Sequence, residues 1–287
     1  MSPLWRDQLQ VFFAPERVNL VRSAPQRVDL VRSLRGSKPQ DIASIAARCD
    51  RVPDRPIWEP PLHQLEKMLD NAEKTEMTVT ISNHFIRYAA LPPQDEITTP
   101  DELFAYATFR MQEIYAERVN DWILSVSAWN PSSGAICAAI SRDLMTQLQE
   151  LAARHKIKLT GIVPYLVSAF DQWHKLFDDR RTCFVLVETG RFCITLLADN
   201  SWHGIRNQRI LHHVEDELLA ALDQEAIFSG HKEVIEEVRL FAPEHPRLSL
   251  PDNCGWKIVP VPDSNIPAPA HFPSVIVESN EADPCAV

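Results

Sequence analysis

Glycine is scarce in this chain, with seven residues among 287. Loops that bind phosphate through the backbone need glycine, because a residue without Cβ lets several N–H groups approach an anion closely. The sequence contains neither the G-x-G-x-x-G pattern of dinucleotide-binding proteins nor the G-x-x-x-x-G-K-[ST] pattern of P-loop enzymes. These absences exclude a Rossmann-type nucleotide site and a P-loop.

The chain also lacks an excess of positive charge. Its 29 Lys and Arg residues against 39 Asp and Glu residues give a formal net charge of -10, whereas nucleic-acid-binding proteins concentrate positive charge to displace counterions from phosphates. Five arginines near the N-terminus are interpreted as the solvated ends and faces of a hairpin: Arg17, Arg22, Arg27, Arg32 and Arg35. We therefore expect no nucleic-acid partner.

Long apolar runs and paired cysteines are absent as well. No run approaches the roughly 20 apolar residues that span a bilayer, and no signal-peptide core is present near the N-terminus, so we expect a cytoplasmic protein without direct membrane insertion. The six cysteines include no C-x-x-C pair and no histidine at metal-ligand spacing, which argues against a metal site or a disulfide framework. Cys137, Cys183 and Cys193 fall inside predicted strands, where buried thiols act as small apolar residues.

The N-terminal region predicts a three-stranded meander. Its strand candidates are Gln10–Ala14, Arg17–Ser23 and Arg27–Leu34, separated by Ala-Pro turns, and the run APERVNLVRS is followed directly by APQRVDLVRS. Two copies indicate a local duplication, since a solenoid needs at least three. The segment that follows is polar and contains prolines, and a short helix is predicted at 41–48.

The middle of the chain alternates helical and strand periodicity. Thr99, Pro100 and Glu102 form a capping signature that begins one of the helices, and Leu103, Ala107, Met111 and Ile114 are its expected buried stripe. The predicted order is a helix at 61–73, strands at 77–82 and 85–91, the capped helix to about 118, strands at 122–128 and 135–140, a helix from 141 to about 155, a strand at 158–163 and a helix near 166–177.

A second three-stranded meander is predicted over Thr182 to Arg209, with its first turn at Glu188-Thr189-Gly190. An amphipathic helix and a strand at 237–242 follow. From Pro243 the chain has nine prolines in 45 residues and little periodicity, so we expect an extended or disordered tail over 243–287, from which only Trp256–Val261 docks as an added strand.

A meander followed by a helix and a strand thus occurs twice, which resembles the duplicated RNase H-like plan of the actin-like ATPases. Particular runs resemble the type IV pilus assembly protein PilM and the cytoplasmic domain of the type II secretion protein GspL: MTVTISNHFIRYAALP, ELFAYATFRMQEIY, AAISRDLMTQLQELAARHKIKLTGIVPYLVSAF and LVETGRFCITLL. The resemblance covers roughly residues 8 to 242. It implies an α/β, actin-like fold with a first lobe over 1–178, an inserted β-α-β-β-α subdomain at about 84–156, and an abbreviated second lobe over 179–242.

The departures from that family concern its nucleotide site. PilM-like ATPases carry Asp-x-Gly in the first hairpin, whereas this chain has Phe13-Ala14-Pro15-Glu16, and the proline removes a backbone donor. At the second turn Glu188 replaces the family's aspartate, Gly190 and Thr195 are kept, and the Gly-Gly turn that would hold adenosine is missing. We therefore expect a degenerate site with no catalytic residues, no metal and no cofactor.

The resemblance implies a non-catalytic scaffold of a pilus or secretion assembly platform. Its partner would be an inner-membrane assembly protein, bound through its cytoplasmic segment, and the scaffold would lie peripherally at the inner membrane. The alternative is an active actin-like ATPase or kinase that binds ATP and Mg²⁺ with Glu188, Gly190 and Thr195. An RNase H-like nuclease is disfavoured, because the first strand lacks the carboxylate that two-metal catalysis needs.

A few other residues allow a functional interpretation beside a structural one. His84 is a ligand or base candidate, but without a nearby partner it is interpreted as a bend residue. Asp171 and His174 are interpreted as a solvated pair on one helix face. Trp129 and Trp202 are candidates for a protein interface, although single aromatic residues also pack at the edges of lobes.

Overall fold

The computed structural model describes residues 7–23, 43–70, 72–173, 181–198, 201–229, 235, 237–251 and 253–261. The strands are β1 (Gln8–Ala14), β2 (Arg17–Ser23), β3 (Ala43–Arg48), β4 (Glu76–Ile81), β5 (Ile86–Leu91), β6 (Trp122–Val126), β7 (Ala135–Ser141), β8 (Lys158–Pro164), β9 (Thr182–Glu188), β10 (Arg191–Ala198), β11 (Ser201–Arg209), β12 (Glu237–Phe241) and β13 (Ile258–Pro260). The helices are α1 (Glu59–Met68), α2 (Pro100–Tyr115), α3 (Arg142–Arg154), α4 (Tyr165–Trp173) and α5 (Val214–Ser229), with a 3-10 helix at Ala116–Asp121.

The chain divides into two compact units. One consists of Met1–Ile86 and Arg142–Ser168, and the other consists of Arg87–Ser141 and Ala169–Val287. The lobes predicted from the sequence, at 1–178 and 179–242, follow the expected fold plan, whereas the two compact units group the chain differently. The predicted lobe boundaries therefore stay a prediction.

The first unit contains a five-stranded sheet in the order β3-β2-β1-β4-β8. The first three strands are antiparallel neighbours, whereas β4 runs parallel to both β1 and β8. Burial alternates along β1 and β4, because successive side chains of a strand point to opposite faces of the sheet. Leu65 of α1 is fully buried as well.

The third strand of this sheet differs from the prediction. It is β3, in the segment where a short helix was predicted, and it pairs along its length with β2, from Arg17 opposite Arg48 to Arg22 opposite Ala43. Pairing with a neighbouring strand overrides local helix propensity in such a short segment. The strand predicted at 27–34 lies outside the described residues.

The inserted subdomain has the predicted order β5, α2, β6, β7, α3, and its three strands pair in the order β5-β7-β6. The capping box at Thr99 is confirmed: Thr99 Oγ1 accepts the N–H of Glu102, and the Glu102 carboxylate accepts the N–H of Thr99. The backbone N–H of Thr98, then that of Thr99, and the hydroxyls of both residues lower the pKa of Glu102 to about 2 by hydrogen bonding to its carboxylate.

The buried stripe of α2 ends earlier than predicted. Ala107 and Met111 are fully buried, but Ile114 is 54% exposed. Ala116 has a positive φ of 54° and ends the helix, and the 3-10 helix that follows buries Val119 instead.

The second unit contains a five-stranded sheet in the order β11-β10-β9-β12-β13. Its meander is antiparallel, and β12 runs parallel to β9 and β13. Both large sheets therefore have the same arrangement, a meander followed by two parallel strands, and the predicted duplication is confirmed. Leu218, Leu222 and Ala226 of α5 pack on one face of the sheet, as predicted.

The segment predicted as a tail contributes to this core. Trp256 and Leu250 belong to the hydrophobic cluster of the second sheet, and β13 confirms the strand expected within Trp256–Val261. Between β12 and β13 the described residues, 242–251 and 253–257, contain no helix, although parallel neighbours are usually joined through one. Residues 262–287 lie outside the described part of the chain.

Candidate functional site

The predicted phosphate turn joins β9 to β10 through Thr189 and Gly190. Gly190 has a φ of 75°, a left-handed conformation that glycine adopts without strain. Its carbonyl oxygen accepts the N–H of Ile210 at 2.9 Å, just beyond β11. The glycine is therefore required by the hairpin backbone, whatever the turn binds.

Glu188 is the last residue of β9 and stands directly opposite Arg191 of β10. Its side chain is buried, with 2% of the residue exposed. Glu188 is also near Tyr88 of β5, whose pKa is raised well above its ordinary value by burial and, to a smaller extent, by Cys193 and Glu188. Glu188 is thus part of the interior of this unit and not of the solvated rim of the turn.

Thr195 does not lie at the turn. It stands opposite Phe184 in the middle of the hairpin, 1% of it is exposed, and its hydroxyl donates to the Phe184 carbonyl oxygen at 3.2 Å. It lies four positions after Arg191, which is a distance of about 13 Å along a strand. The structure therefore brings Glu188 and Gly190 together but leaves Thr195 away from them.

Two residues that the sequence did not indicate contact the turn, and both follow β12. A carboxylate oxygen of Glu244 accepts the N–H of Thr189 at 2.6 Å, and Nε2 of His245 lies 3.2 Å from the Glu188 carbonyl oxygen. Because β9 and β12 are parallel, their carboxyl ends lie at the same edge of the sheet. A side-chain carboxylate thus takes a backbone donor that a phosphate would use. No sequence pattern signals this contact, because residues from 243 onward are predicted to form a tail.

The corresponding edge of the first sheet is occupied by polar side chains of its own. The hairpin between β1 and β2 turns at Pro15 and Glu16, and Pro15 has no N–H to donate. Asn83 is fully buried, and its Oδ1 accepts the N–H of Leu166 at the start of α4. His84 is a bend residue, as interpreted from the sequence, with Nδ1 3.0 Å from Ser82 Oγ.

Metal-binding groups are not assembled in the described residues: they contain no cluster of three or more His, Cys, Asp or Glu side chains. The cysteines singled out by the sequence, Cys137, Cys183 and Cys193, are buried in strands as predicted. Burial raises the pKa of the Cys137 thiol to about 12. None of the described helices is both long and apolar enough to cross a membrane.

The aromatic interface candidates pack within the second unit. The Trp202 ring lies 4.9 Å from that of Phe170, and the Trp129 ring lies 6.2 Å from that of Tyr106. Asp171 differs from its interpretation as a solvated residue, because burial raises its pKa to about 7. His174 lies outside the described residues.

Comparison with known proteins yields relatives by structure but not by sequence. No protein-family model matches the chain, and no curated protein matches it. The PilM–PilN type IV pilus biogenesis complex is similar with a TM-score of 0.58 and 13% identity over 88% of each chain. The cytoplasmic domain of EpsL, an inner membrane component of the type II secretion system of Vibrio cholerae, has a TM-score of 0.53 and 10% identity, over 89% of this chain and 90% of that one.

A third similar structure is a Bacteroides thetaiotaomicron protein with an actin-like ATPase fold. It has a TM-score of 0.54 and 8% identity, over 83% of this chain and 81% of that one. Sequence identities this low support a shared fold but not a shared activity. The resemblance to PilM and GspL is therefore confirmed at the level of the fold, and the chain has the actin-like ATPase fold.

Proposed function

We propose that this protein is a non-catalytic, cytoplasmic scaffold of a type IV pilus or type II secretion-like assembly platform. In this proposal it lies at the inner membrane and binds the cytoplasmic segment of an inner-membrane assembly protein. Support for the kind of machine comes from the two similar structures, one a complex of PilM with PilN and the other a domain of an inner membrane secretion component.

The observation that carries the non-catalytic part is the 2.6 Å contact between Glu244 and the Thr189 N–H. A phosphate approaching this turn meets a carboxylate already bound to the donor. Two unit charges 4 Å apart repel each other by about 1 kcal/mol in water and by about 4 kcal/mol at an effective dielectric constant of 20. The Glu244 carboxylate thus disfavours the binding of phosphate at this turn.

Two further residues point in the same direction. The Thr195 hydroxyl donates to the Phe184 carbonyl within the sheet, so a phosphate that accepts a hydrogen bond from this hydroxyl would have to break that bond. Pro15 offers no donor at the first hairpin. Each hairpin therefore has a position at which the chain offers no free donor to a phosphate.

The membrane partner is tested by affinity purification. The tagged full-length chain is incubated with detergent-solubilised inner membranes from its own source, and bound proteins are identified by mass spectrometry against an untagged control. We expect enrichment of an inner-membrane component of a pilus or secretion machine. If no such component is enriched, the assembly-platform function is wrong.

The alternative, an active ATPase or kinase, is favoured by the left-handed glycine turn at Gly190, which has a φ of 75°, and it is tested by thermal unfolding with ATP and Mg²⁺. A ligand at 100 times its Kd adds about 2.7 kcal/mol of stability, which for a chain of this size raises Tm by roughly 5 °C or more. We expect no shift at millimolar ATP. A clear rise in Tm that is lost in Glu188→Gln would establish the alternative and refute the non-catalytic proposal.

A further inference from the structure

The strand β3 forms one edge of the five-stranded sheet of the first unit, and among the described strands only β2 pairs with it. Directly after β3, the N–H of Cys49 donates to the Glu16 carbonyl oxygen at 2.9 Å. In an antiparallel pair, every second residue directs both its N–H and its C=O to the neighbouring strand. Counting back from Cys49, the backbone groups of Ser44, Ala46 and Arg48 therefore point away from β2 and toward the open edge.

The apolar face of this sheet continues into β3 and is half uncovered there. Directly opposite residues of paired strands lie on the same face of a sheet, and Val11, Leu20 and Ile45 form such a row across β1, β2 and β3. The exposed fractions are 2% for Val11, 4% for Leu20 and 50% for Ile45. The described residues thus cover the row up to its last member, and an additional strand beside β3 would cover Ile45.

The two edges of this sheet differ in their protection against further pairing. The opposite edge is β8, which begins with the exposed Lys158, ends with Pro164 and has an irregular register against β4. Lysine, proline and bulges are features by which edge strands avoid pairing with other chains. The strand β3 pairs with β2 in an unbroken register, and its one charged residue is Arg48 at its end. It is therefore suited to further pairing in a way that β8 is not.

We propose that β3 pairs antiparallel with β3 of a second copy of this chain, with the two-fold axis of the dimer at Ala46. The two copies then form one continuous sheet of ten strands, which is within the usual size of open sheets. In this register Ala46 stands opposite Ala46 of the second copy, and Ser44 stands opposite Arg48. Each residue with outward backbone groups thus obtains a partner, and each pair exchanges two hydrogen bonds.

A second copy fits this edge because β3 is complementary to itself in this register. On the apolar face, Ile45 of one copy lies beside Ala47 of the other, so a large side chain meets a small one. On the other face Arg48 meets Ser44, which avoids the destabilising placement of like charges directly opposite each other. The contact is confined to one strand pair, so we expect a weak dimer with a Kd on the order of 10 μM or higher. This inference goes beyond the proposed function and does not depend on it.

Disulfide formation tests the register in the full-length chain. In a hydrogen-bonded antiparallel pair the Cα atoms of opposite residues are about 5.5 Å apart, within the range of about 4.4–6.8 Å that a disulfide spans. Ala46→Cys should therefore form a covalent dimer under mild oxidation. Ser44→Cys is the matched control: the two substituted positions are four residues apart along the strand pair, about 13 Å, so it should form at least tenfold less covalent dimer. The wild-type chain, with its own six cysteines, gives the background.

Sedimentation velocity at protein concentrations below and above the expected Kd measures the dimer directly. Ile45→Lys should weaken dimerisation at least tenfold, because lysine places a charge on the edge that the second copy covers. Ile114→Lys is the matched control, since Ile114 is 54% exposed in the other unit, and it should change the Kd less than twofold. Ala46→Pro removes an outward N–H, so it should abolish the dimer and leave the urea midpoint of the monomer close to that of the wild type. Ala47→Pro removes a bond to β2 instead and should lower that midpoint.

A chain that stays monomeric at the highest concentration would overturn the proposal, as would equal amounts of covalent dimer in Ala46→Cys and Ser44→Cys. An equal loss of stability in Ala46→Pro and Ala47→Pro would show that the Ala46 N–H is already bonded within the chain, and it would also overturn the proposal. If the wild type is monomeric and Ala46→Pro loses membrane capture, the edge binds a partner protein instead. A dimer without capture of a pilus or secretion component refutes the assembly-platform function alone, whereas capture without a dimer refutes this inference alone.

Discussion

Replacing Trp256 by alanine should destabilise the second unit, because this residue fixes the C-terminal strand to the sheet. Trp256 is 9% exposed and belongs to the cluster that contains Leu218 and Leu222 of α5. Its Nε1 donates to Asp223 Oδ1 at 3.3 Å. Truncation of a buried aromatic side chain to alanine costs about 3–5 kcal/mol, which is a large part of the 5–15 kcal/mol that typically stabilises a domain.

The hydrogen bond and the apolar contact can be separated with two more variants. Trp256→Phe keeps most of the apolar surface but loses the Nε1 donor, so it should lower the free energy of unfolding by about 1–2 kcal/mol. Asp223→Ala leaves the indole N–H without its acceptor and should cost about 1 kcal/mol. Phe109→Ala is the matched control: Phe109 is 56% exposed on α2 of the same unit, and surface changes usually stay within about 0.5 kcal/mol.

Urea unfolding followed by far-UV circular dichroism measures these differences without relying on tryptophan fluorescence. A loss of 3 kcal/mol at a slope of about 3 kcal/mol/M moves the midpoint by about 1 M. If Trp256→Ala moves the midpoint no more than Phe109→Ala does, then residues 253–261 do not belong to the core. In that case the prediction that this segment is an extended tail would be correct.

Three further predictions test other parts of the chain. Gly134→Ala should cost more than 1 kcal/mol in urea unfolding, because Gly134 has a φ of 71° and an added Cβ would lie 2.1 Å from the Leu91 carbonyl oxygen; an unchanged midpoint would contradict this. Thr195→Val should lower the free energy of unfolding by about 1 kcal/mol through the lost bond to the Phe184 carbonyl, and an unchanged urea midpoint would contradict this. Burial raises the pKa of Asp171 from 3.8 to about 7, so between these pH values the folded state holds a proton that the unfolded state has released. Stability should therefore fall as pH rises from about 4 through 7. Asp171→Asn should flatten this dependence of stability on pH, and an unaltered dependence would refute the prediction.

Local patterns predicted the elements whose signals are carried by adjacent residues. The helix α2 begins where Thr99 and Glu102 form their reciprocal bonds, and β9 is buried along its whole length, as its apolar run indicates. The third strand of the first meander was misplaced because β3 is defined by pairing with β2 and not by its own composition. The strand β13 lies where an added strand was expected, within Trp256–Val261, and its Pro260 fits a strand at the edge of a sheet, which tolerates a residue without an N–H.

The candidate site was harder to predict because its important contacts connect residues distant in sequence. Gly190 could be assigned to a turn from the sequence, since glycine favours the backbone found there. Nothing local could reveal that the Thr195 hydroxyl is bonded within the sheet. The position of Arg191 opposite Arg209 likewise depends on the register between β10 and β11, which sequence periodicity does not give.

The connection between β12 and β13 differs from its counterpart in the first sheet. In the first sheet the chain from β4 to β8 passes through the inserted subdomain, whereas in the second sheet the described residues between β12 and β13, 242–251 and 253–257, contain no helix. A direct return must turn at the carboxyl edge of the sheet, and it is there that Glu244 contacts Thr189 and His245 contacts Glu188. This connection therefore brings a carboxylate to the turn between β9 and β10. Exchanging Glu188 for aspartate alone would leave the contact between Glu244 and the Thr189 N–H in place, so a test of phosphate binding at this turn should also replace Glu244.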